Sequence, residues 1–174
     1  MPLDYSTVNQ ALLDTMPVPG AAPGTWDFDP RMKNQWAHEL VARVAVLVGT
    51  DPIEYASGHV EDVDQRDRNG AGTVFKGEAA LFTSAKIVHA TFSVTRQANS
   101  TSLNLEAAIV SYRRSDIDSV SSESISGDLS SSANSSGSFT VHLRSGQSIT
   151  LPVAKKPQSA EDQDLLEFVS TVLT

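Results

Sequence analysis

Cysteine is absent from the 174-residue sequence. The absence excludes disulfide bonds, thiol nucleophiles and cysteine metal ligands, and it fits a reducing compartment. Long apolar runs are also absent, since the longest, from Val44 to Val48, is far below the roughly 20 residues of a membrane-spanning helix. The opening residues, MPLDYSTVNQALLD, show neither the basic segment nor the apolar core of a secretory signal. We therefore expect a cytoplasmic protein.

An excess of positive charge is also missing, because the formal net charge is −8. Tight binding to nucleic acid needs concentrated positive charge against the phosphate backbone, so no nucleic-acid partner is expected. The charge is uneven, however. Residues 73–115 contain five basic and two acidic side chains, a local net charge of +3. A basic surface is possible if these side chains share a face.

Motifs of catalysis and metal binding are missing as well. The four histidines show no metal-ligand spacing, and the sequence has no G-x-S-x-G elbow, phosphate-binding loop or dinucleotide fingerprint. DRNGAGTVFKGE (67–78) matches part of a calcium-binding loop, but Ala71 stands where an oxygen ligand is required. We interpret this stretch as a glycine-rich β-turn. The expectation is a protein without enzymatic activity, metal or cofactor.

Helical patterns occupy the first part of the chain. A short helix is predicted from Ser6, followed by an arm at 16–24 rich in proline and glycine. A second helix is predicted over 30–48, with Asp29 and Pro30 at its start and Gly49 at its end. Its apolar side chains form more than one stripe and include Trp36, Leu40, Val44 and Leu47. Such a helix is covered on two sides, by the rest of the domain or by another subunit. We therefore assign 1–52 as an N-terminal arm and helix and these four residues as a candidate interface.

Alternating patterns follow after Asp51. Strands are predicted near 54–63, 73–83, 86–95, 105–113, 116–123, 138–144 and 147–153. The last two form a hairpin around Gly146. A closing amphipathic helix is predicted over 160–173, with Ser159 as its cap.

This order of elements resembles the pleckstrin-homology-like (PH-like) superfold, in particular its bacterial PH and GRAM branches. The resemblance rests on GEAALFTSAKIVHATF (77–92), AIVSYRRSDIDSV (108–120), FTVHLRSGQSITLPV (139–153) and the closing helix. It implies an α+β, mainly β fold over 53–174: a seven-stranded antiparallel barrel, or orthogonal sandwich, capped by the C-terminal helix. The first 52 residues have no counterpart in a minimal PH domain and form an N-terminal helical extension.

The serine-rich segment 121–137 departs from the family pattern by its length. Eleven of the residues 119–138 are serine. Because serine offers nothing to bury, we expect a flexible, solvated loop outside the barrel that is dispensable for folding. Ile117 and Val120, by contrast, are expected to face the barrel interior.

The loop between the first two strands carries the candidate anion-binding residues Arg66, Arg68 and Lys76, because PH domains that bind phosphoinositides have basic residues there. Arginine forks fit phosphate oxygens. Three aspartates interleave with these residues, namely Asp62, Asp64 and Asp67. The favoured function is a non-enzymatic binding or scaffolding module that contacts a protein partner or itself through the N-terminal helix. A peripheral membrane or anionic-ligand module is the first alternative, and a small hydrolase is the second.

Overall fold

The computed structural model describes residues 5–27, 34–66, 68–126 and 136–153, together with Leu165, Phe168 and Val169. Two helices come first, α1 (Tyr5–Thr15) and α2 (Gln35–Val48). Gly49 ends α2 with a φ of 72° while its N–H donates to the carbonyl of Ala45, so the predicted C-terminal cap is confirmed. The predicted start of this helix at Asp29 and Pro30 lies outside the described residues.

The described residues then contain seven strands, which form two antiparallel sheets. Their bounds are β1 (Ile53–Arg66), β2 (Gly72–Thr83), β3 (Lys86–Arg96), β4 (Leu103–Arg113), β5 (Ile117–Ser126), β6 (Ser136–Leu143) and β7 (Ser148–Leu151). The first sheet has the order β1-β2-β3-β4 and the second has the order β5-β6-β7. The α+β class predicted from the sequence is confirmed. Within the described residues neither sheet closes on itself.

The helices cover one face of the four-stranded sheet. Helix α1 lies on β1, whereas α2 lies on β3 and β4. Trp36 of α2 is buried and its ring meets Phe75 and Phe92, with centroid distances of 6.2 and 6.1 Å. The ring of Trp26 meets the same indole edge-on at 5.8 Å. We call the apolar layer between the helices and this sheet the first core.

The opposite face of the four-stranded sheet packs on the second sheet and on the helical residues near the C-terminus. Phe168 lies at the centre of this layer, 4.9 Å from the ring of Tyr55 and 4.7 Å from that of Phe82. Leu165 and Val169 are buried beside it. We call this layer the second core. These helical residues agree with the predicted closing helix, whose remaining residues lie outside the described part of the chain.

Alternation along β2 supplies both cores. Ala79 and Leu81 are buried in the first core, and Ala80 and Phe82 in the second. Successive side chains of a strand point to opposite faces, so a strand covered on both sides is apolar at every position. The covered end of β2 therefore has no polar side chain between Ala79 and Phe82.

Two basic side chains make contacts at that covered end, Lys86 with the end of α2 and Arg114 with Glu54 and the second core. The ammonium of Lys86 lies 3.4 Å from the carbonyls of Leu47 and Val48 and 3.4 Å from the carboxylate of Asp51. It thus caps the C-terminus of α2, where the helix dipole favours positive charge. Arg114 pairs with Glu54 and also lies over the ring of Phe168, 5.7 Å from its centroid.

The expectation of a loop over 121–137 is wrong at both ends of that segment. Strand β5 continues to Ser126, β6 begins at Ser136, and these two serines are register partners. Strand pairing uses backbone groups that serine possesses like any other residue, so a segment with nothing to bury still extends a hairpin. Residues 127–135 lie outside the described part of the chain.

Candidate functional site

The second face of the four-stranded sheet changes from apolar to polar along its strands. On β2 the side chains of this face are, in order, Phe82, Ala80, Glu78 and Lys76. The first two are buried under the second sheet, Glu78 is half-buried and Lys76 is exposed. The cover supplied by the second core therefore ends near Ala80, and a polar surface begins there.

A carboxylate–imidazole pair stands at the start of that polar surface. Nε2 of His89 lies 2.7 Å from Oε1 of Glu78, and His59 is the register partner of Glu78 on β1. The hydrogen bond from His89 lowers the pKa of the Glu78 carboxyl below its ordinary value, and the charges of His89 and His59 lower it as well. Burial of the carboxyl partly opposes this shift of the pKa. Nδ1 of His59 is buried, and no described residue bonds it.

Chemically, the Glu78 carboxylate is an ionised hydrogen-bond acceptor, and the imidazole of His89 already donates to it. Among the described residues, no three histidine or carboxylate side chains are grouped closely enough to hold a metal ion. The sequence interpretation missed the pair. The hairpin turn after Thr83 was a signal for this pair in the sequence. The turn makes Ala80 the register partner of His89, and this register places His89 diagonally across from Glu78 on the same face of the sheet.

Strand β4 forms an open edge of the same sheet. It is paired with β3 over its whole length, Leu103 to Arg113, without a register shift. On its other side, no strand of the described chain is hydrogen-bonded to it. Within the described residues, the backbone groups that point outward from β4 thus have no strand partner, and such groups can pair with another extended segment.

Apolar side chains line this edge on both faces of the sheet. Toward the helices, Leu105, Ala107 and Ile109 are only half-buried at the rim of the first core. On the opposite face Ala108 is exposed, and Val110 keeps 44% of its surface exposed. Between Leu103 and Tyr112 the only charged side chain is Glu106. An edge of this composition attracts a further strand rather than repelling one.

The other three edges carry features that oppose pairing. Strand β1 has two register shifts and five charged side chains, and β5 has two register shifts. Strand β7 is four residues long and is followed directly by Pro152, which has no N–H to donate. Bulges, charges, short length and proline are the usual protections of sheet edges. Strand β4, by contrast, is eleven residues long, has no register shift and no proline, and carries only Glu106 as a charge before Arg113 at its end.

The predicted anion-binding residues do not form a described cluster. Arg66 ends β1 and Lys76 lies within β2, where its register partners are Glu61 and Ser93. Arg68 lies in the turn between these strands, and its side chain is exposed. Lys76 therefore stands across from an acid, whereas the register partner of Arg66 is Gly72.

The predicted interface residues of α2 are turned inward. Trp36, Leu40 and Val44 are buried in the first core, and Leu47 is half-buried against it. Of the two covers considered for this helix, the rest of the domain is the one observed. The three buried side chains are already packed within the chain, so a partner of α2 must contact its other faces.

A second polar array crosses the outer face of the three-stranded sheet. Nε2 of His142 lies 2.9 Å from the hydroxyl of Ser121, and Nδ1 lies 2.9 Å from that of Ser148. The order serine–histidine–serine is similar to a nucleophile–base–orienter array, with a hydroxyl in the place of the carboxylate. The two serines are exposed and His142 is half-buried, all three on paired strands, so this array is the cross-strand ladder expected of a polar sheet face.

Comparisons with known proteins return no match for this chain, whether against family models, curated proteins or solved structures. The resemblance to PH-like domains thus stays a prediction. No helix among the described residues is long and apolar enough to cross a membrane. Function must therefore be argued from the surfaces described above.

Proposed function

We propose that this protein is a non-enzymatic binding module of PH-like architecture that holds a protein partner along the free edge of β4. One observation carries the proposal: β4 is an uninterrupted edge with half-buried or exposed apolar side chains on both faces.

Three features support the PH-like part of the proposal. Four strands and then three strands form successive antiparallel sheets in chain order. The two sheets pack face to face through the second core, and helical residues near the C-terminus occupy that core. An amphipathic helix that closes a pair of packed sheets is the arrangement that the resemblance implies.

The edge favours a partner that presents an extended backbone. Strand addition obtains affinity from main-chain hydrogen bonds and specificity from alternate side chains. Here one set of the partner's side chains would lie beside Ala108 and Val110, and the other set beside Ala107 and Ile109. Small and β-branched apolar residues fit both sets, because neither face offers a deep pocket or a concentrated charge.

The anionic-ligand alternative has weaker support. Lys76 stands across from Glu61, and the chain carries a net charge of −8, so an acidic headgroup meets repulsion as well as attraction. Hydrolysis also has weaker support, since the two serine partners of His142 lie exposed on a sheet surface rather than in a site that excludes water.

Site-directed photo-cross-linking tests the proposal. A photoreactive residue replaces Val110 in one variant and Val46, the exposed valine of α2, in the matched control. In cells that make the protein, the variant at 110 should give a protein adduct of defined mass, whose cross-linked peptide is then identified. The adduct should disappear when Ala108→Lys is added to the same chain. Equal adducts at both positions, or none at 110, would contradict the proposal.

A further inference from the structure

The partner of β4 can be specified further, on the assumption that the proposed function is right. We propose that β4 pairs antiparallel with β4 of a second copy of this chain, so that two four-stranded sheets join into one continuous sheet.

Symmetry decides the direction of pairing. Most homodimers have a two-fold axis, and their interface uses the same patch on both copies. Two copies of a strand related by a two-fold axis perpendicular to the sheet run antiparallel, and they join like face to like face. The two α2 helices then lie on the same side of the joined sheet. Because α2 lies over β3 and β4 while α1 lies over β1, α2 is the helix nearer to this junction.

Charge along the strand favours the same direction. The acid Glu106 lies in the first half of β4, whereas Arg113 ends the strand and Arg114 follows it. With the two copies centred on Ile109, antiparallel pairing places Glu106 of one copy opposite Tyr112 of the other, so no two like charges are directly opposed. Parallel pairing would instead place Glu106 beside Glu106, which is destabilising for directly opposed like charges.

The apolar side chains define the centre of the junction. With the two-fold axis at Ile109, this residue faces its own copy on the side of the helices. On the opposite face, Ala108 of each copy then meets Val110 of the other. Small and β-branched apolar residues pair well across antiparallel strands. In this register the half-buried side chains of β4 at the rim of the first core lie beside those of the second copy. The partner strand also covers exposed surface of Val110.

Solution mass tests this inference with the two exposed valines as a matched pair. Val110 lies on β4, and Val46 lies on the outer face of α2 with 63% of its surface exposed. Multi-angle light scattering should give twice the 18.6 kDa chain mass for the wild type and for Val46→Lys. Val110→Lys should give the mass of one chain, because it sets a lysine of each copy diagonally across the junction, where like charges oppose pairing. Circular dichroism of both variants checks that the fold is retained.

A second measurement does not depend on a disruptive variant. The chain has no cysteine, so a single introduced thiol can form a disulfide only with its own copy. Under mild oxidation Ile109→Cys should give a covalent dimer, and Val46→Cys should not. Residues directly opposite on antiparallel strands have Cβ atoms about 5 Å apart, within small adjustment of disulfide geometry.

The outcomes separate this inference from the function on which it rests. A monomeric wild type at all concentrations, a dimer that survives Val110→Lys, or equal oxidation of both cysteine variants would overturn the self-pairing. If the photo-cross-link at 110 then still captures a different, identified protein, the binding edge stands and only the second copy is wrong. If neither experiment gives a product at β4, both proposals fail.

Discussion

The two cores lie on opposite faces of the same strands, yet they are assembled from different parts of the chain. The first core joins the four-stranded sheet to helices that come just before it in sequence, and its centre is the ring cluster of Trp36, Phe75 and Phe92. The second core joins that sheet to strands and helical residues from the far end of the chain, around Phe168. Because β2 and β3 contribute to both, neither core is expected to unfold without the other.

The largest effect is expected from breaking the first core with Trp36→Ala. Loss of this buried ring removes contacts to both phenylalanines and leaves a cavity between α2 and the sheet. Large aromatic-to-alanine changes in cores cost about 3–5 kcal/mol, and we expect the upper half of that range. Denaturant unfolding followed by circular dichroism measures the loss. A loss below about 1 kcal/mol would show that the helices are not part of the cooperative core.

Phe168→Ala breaks the second core and should cost about 3 kcal/mol, the lower end of the same range, because this ring keeps some exposure near the end of the chain. The shape of the transition is as informative as its midpoint. A single transition in both this variant and Trp36→Ala is expected from the shared strands. Two separate transitions in either variant would show that the cores unfold independently.

Two glycines test how tightly the first core is filled. A Cβ at Gly77 would lie 2.2 Å from a ring carbon of Phe92, whereas a Cβ at Gly58 would lie 2.4 Å from the flexible side chain of Met16. Overpacking costs about 1–3 kcal/mol, so Gly77→Ala should lie in that range and Gly58→Ala below it, since methionine repacks more easily than a ring. Thermal unfolding of the two variants measures the difference. Equal losses would contradict this account.

The free energy of unfolding should depend on pH through Glu78, which lies on the polar surface beyond the second core. The folded-state pKa of Glu78 is lowered, chiefly by its hydrogen bond with His89. The stabilisation that ionised Glu78 gives to the folded state is therefore present above the ordinary carboxyl pKa. It is lost as the pH falls through the lowered pKa of the folded state. The difference in unfolding free energy between wild type and Glu78→Gln should be small, because the pair is partly exposed, and should shrink toward acidic pH. A difference that stays constant with pH would exclude this linkage.

The smallest effect is expected at the β1–β2 turn, which lies outside both cores. Flotation with acidic liposomes at physiological salt should detect no bound protein, because exposed charges are screened over about 8–10 Å and acids stand among the cations. The double variant Arg66→Ala, Arg68→Ala should behave like the wild type. Flotation of the wild type that this double variant abolishes would instead support the anionic-ligand alternative.

Much of the fold follows from periodicity in the sequence. The apolar spacing of α2, the cap at Gly49 and the positions of all seven strands were predictable because each depends on neighbours in the chain. The hairpin turn at Thr83, which the sequence also predicted, sets the register that brings Glu78 and His89 together. The loop predicted over 121–137 was wrong at its ends because strand pairing uses the backbone, which composition does not report.

Tertiary structure alone decided which surfaces are occupied and which are open. The sequence determined that α2 is apolar on a broad face, but only packing showed that the chain's own sheet covers Trp36. It also predicted a strand near 105–113, but not that this strand is an edge of its sheet. A strand in the middle of a sheet and one at its margin can share the same alternation, because the pattern records which face is buried and not whether the backbone has a second neighbour.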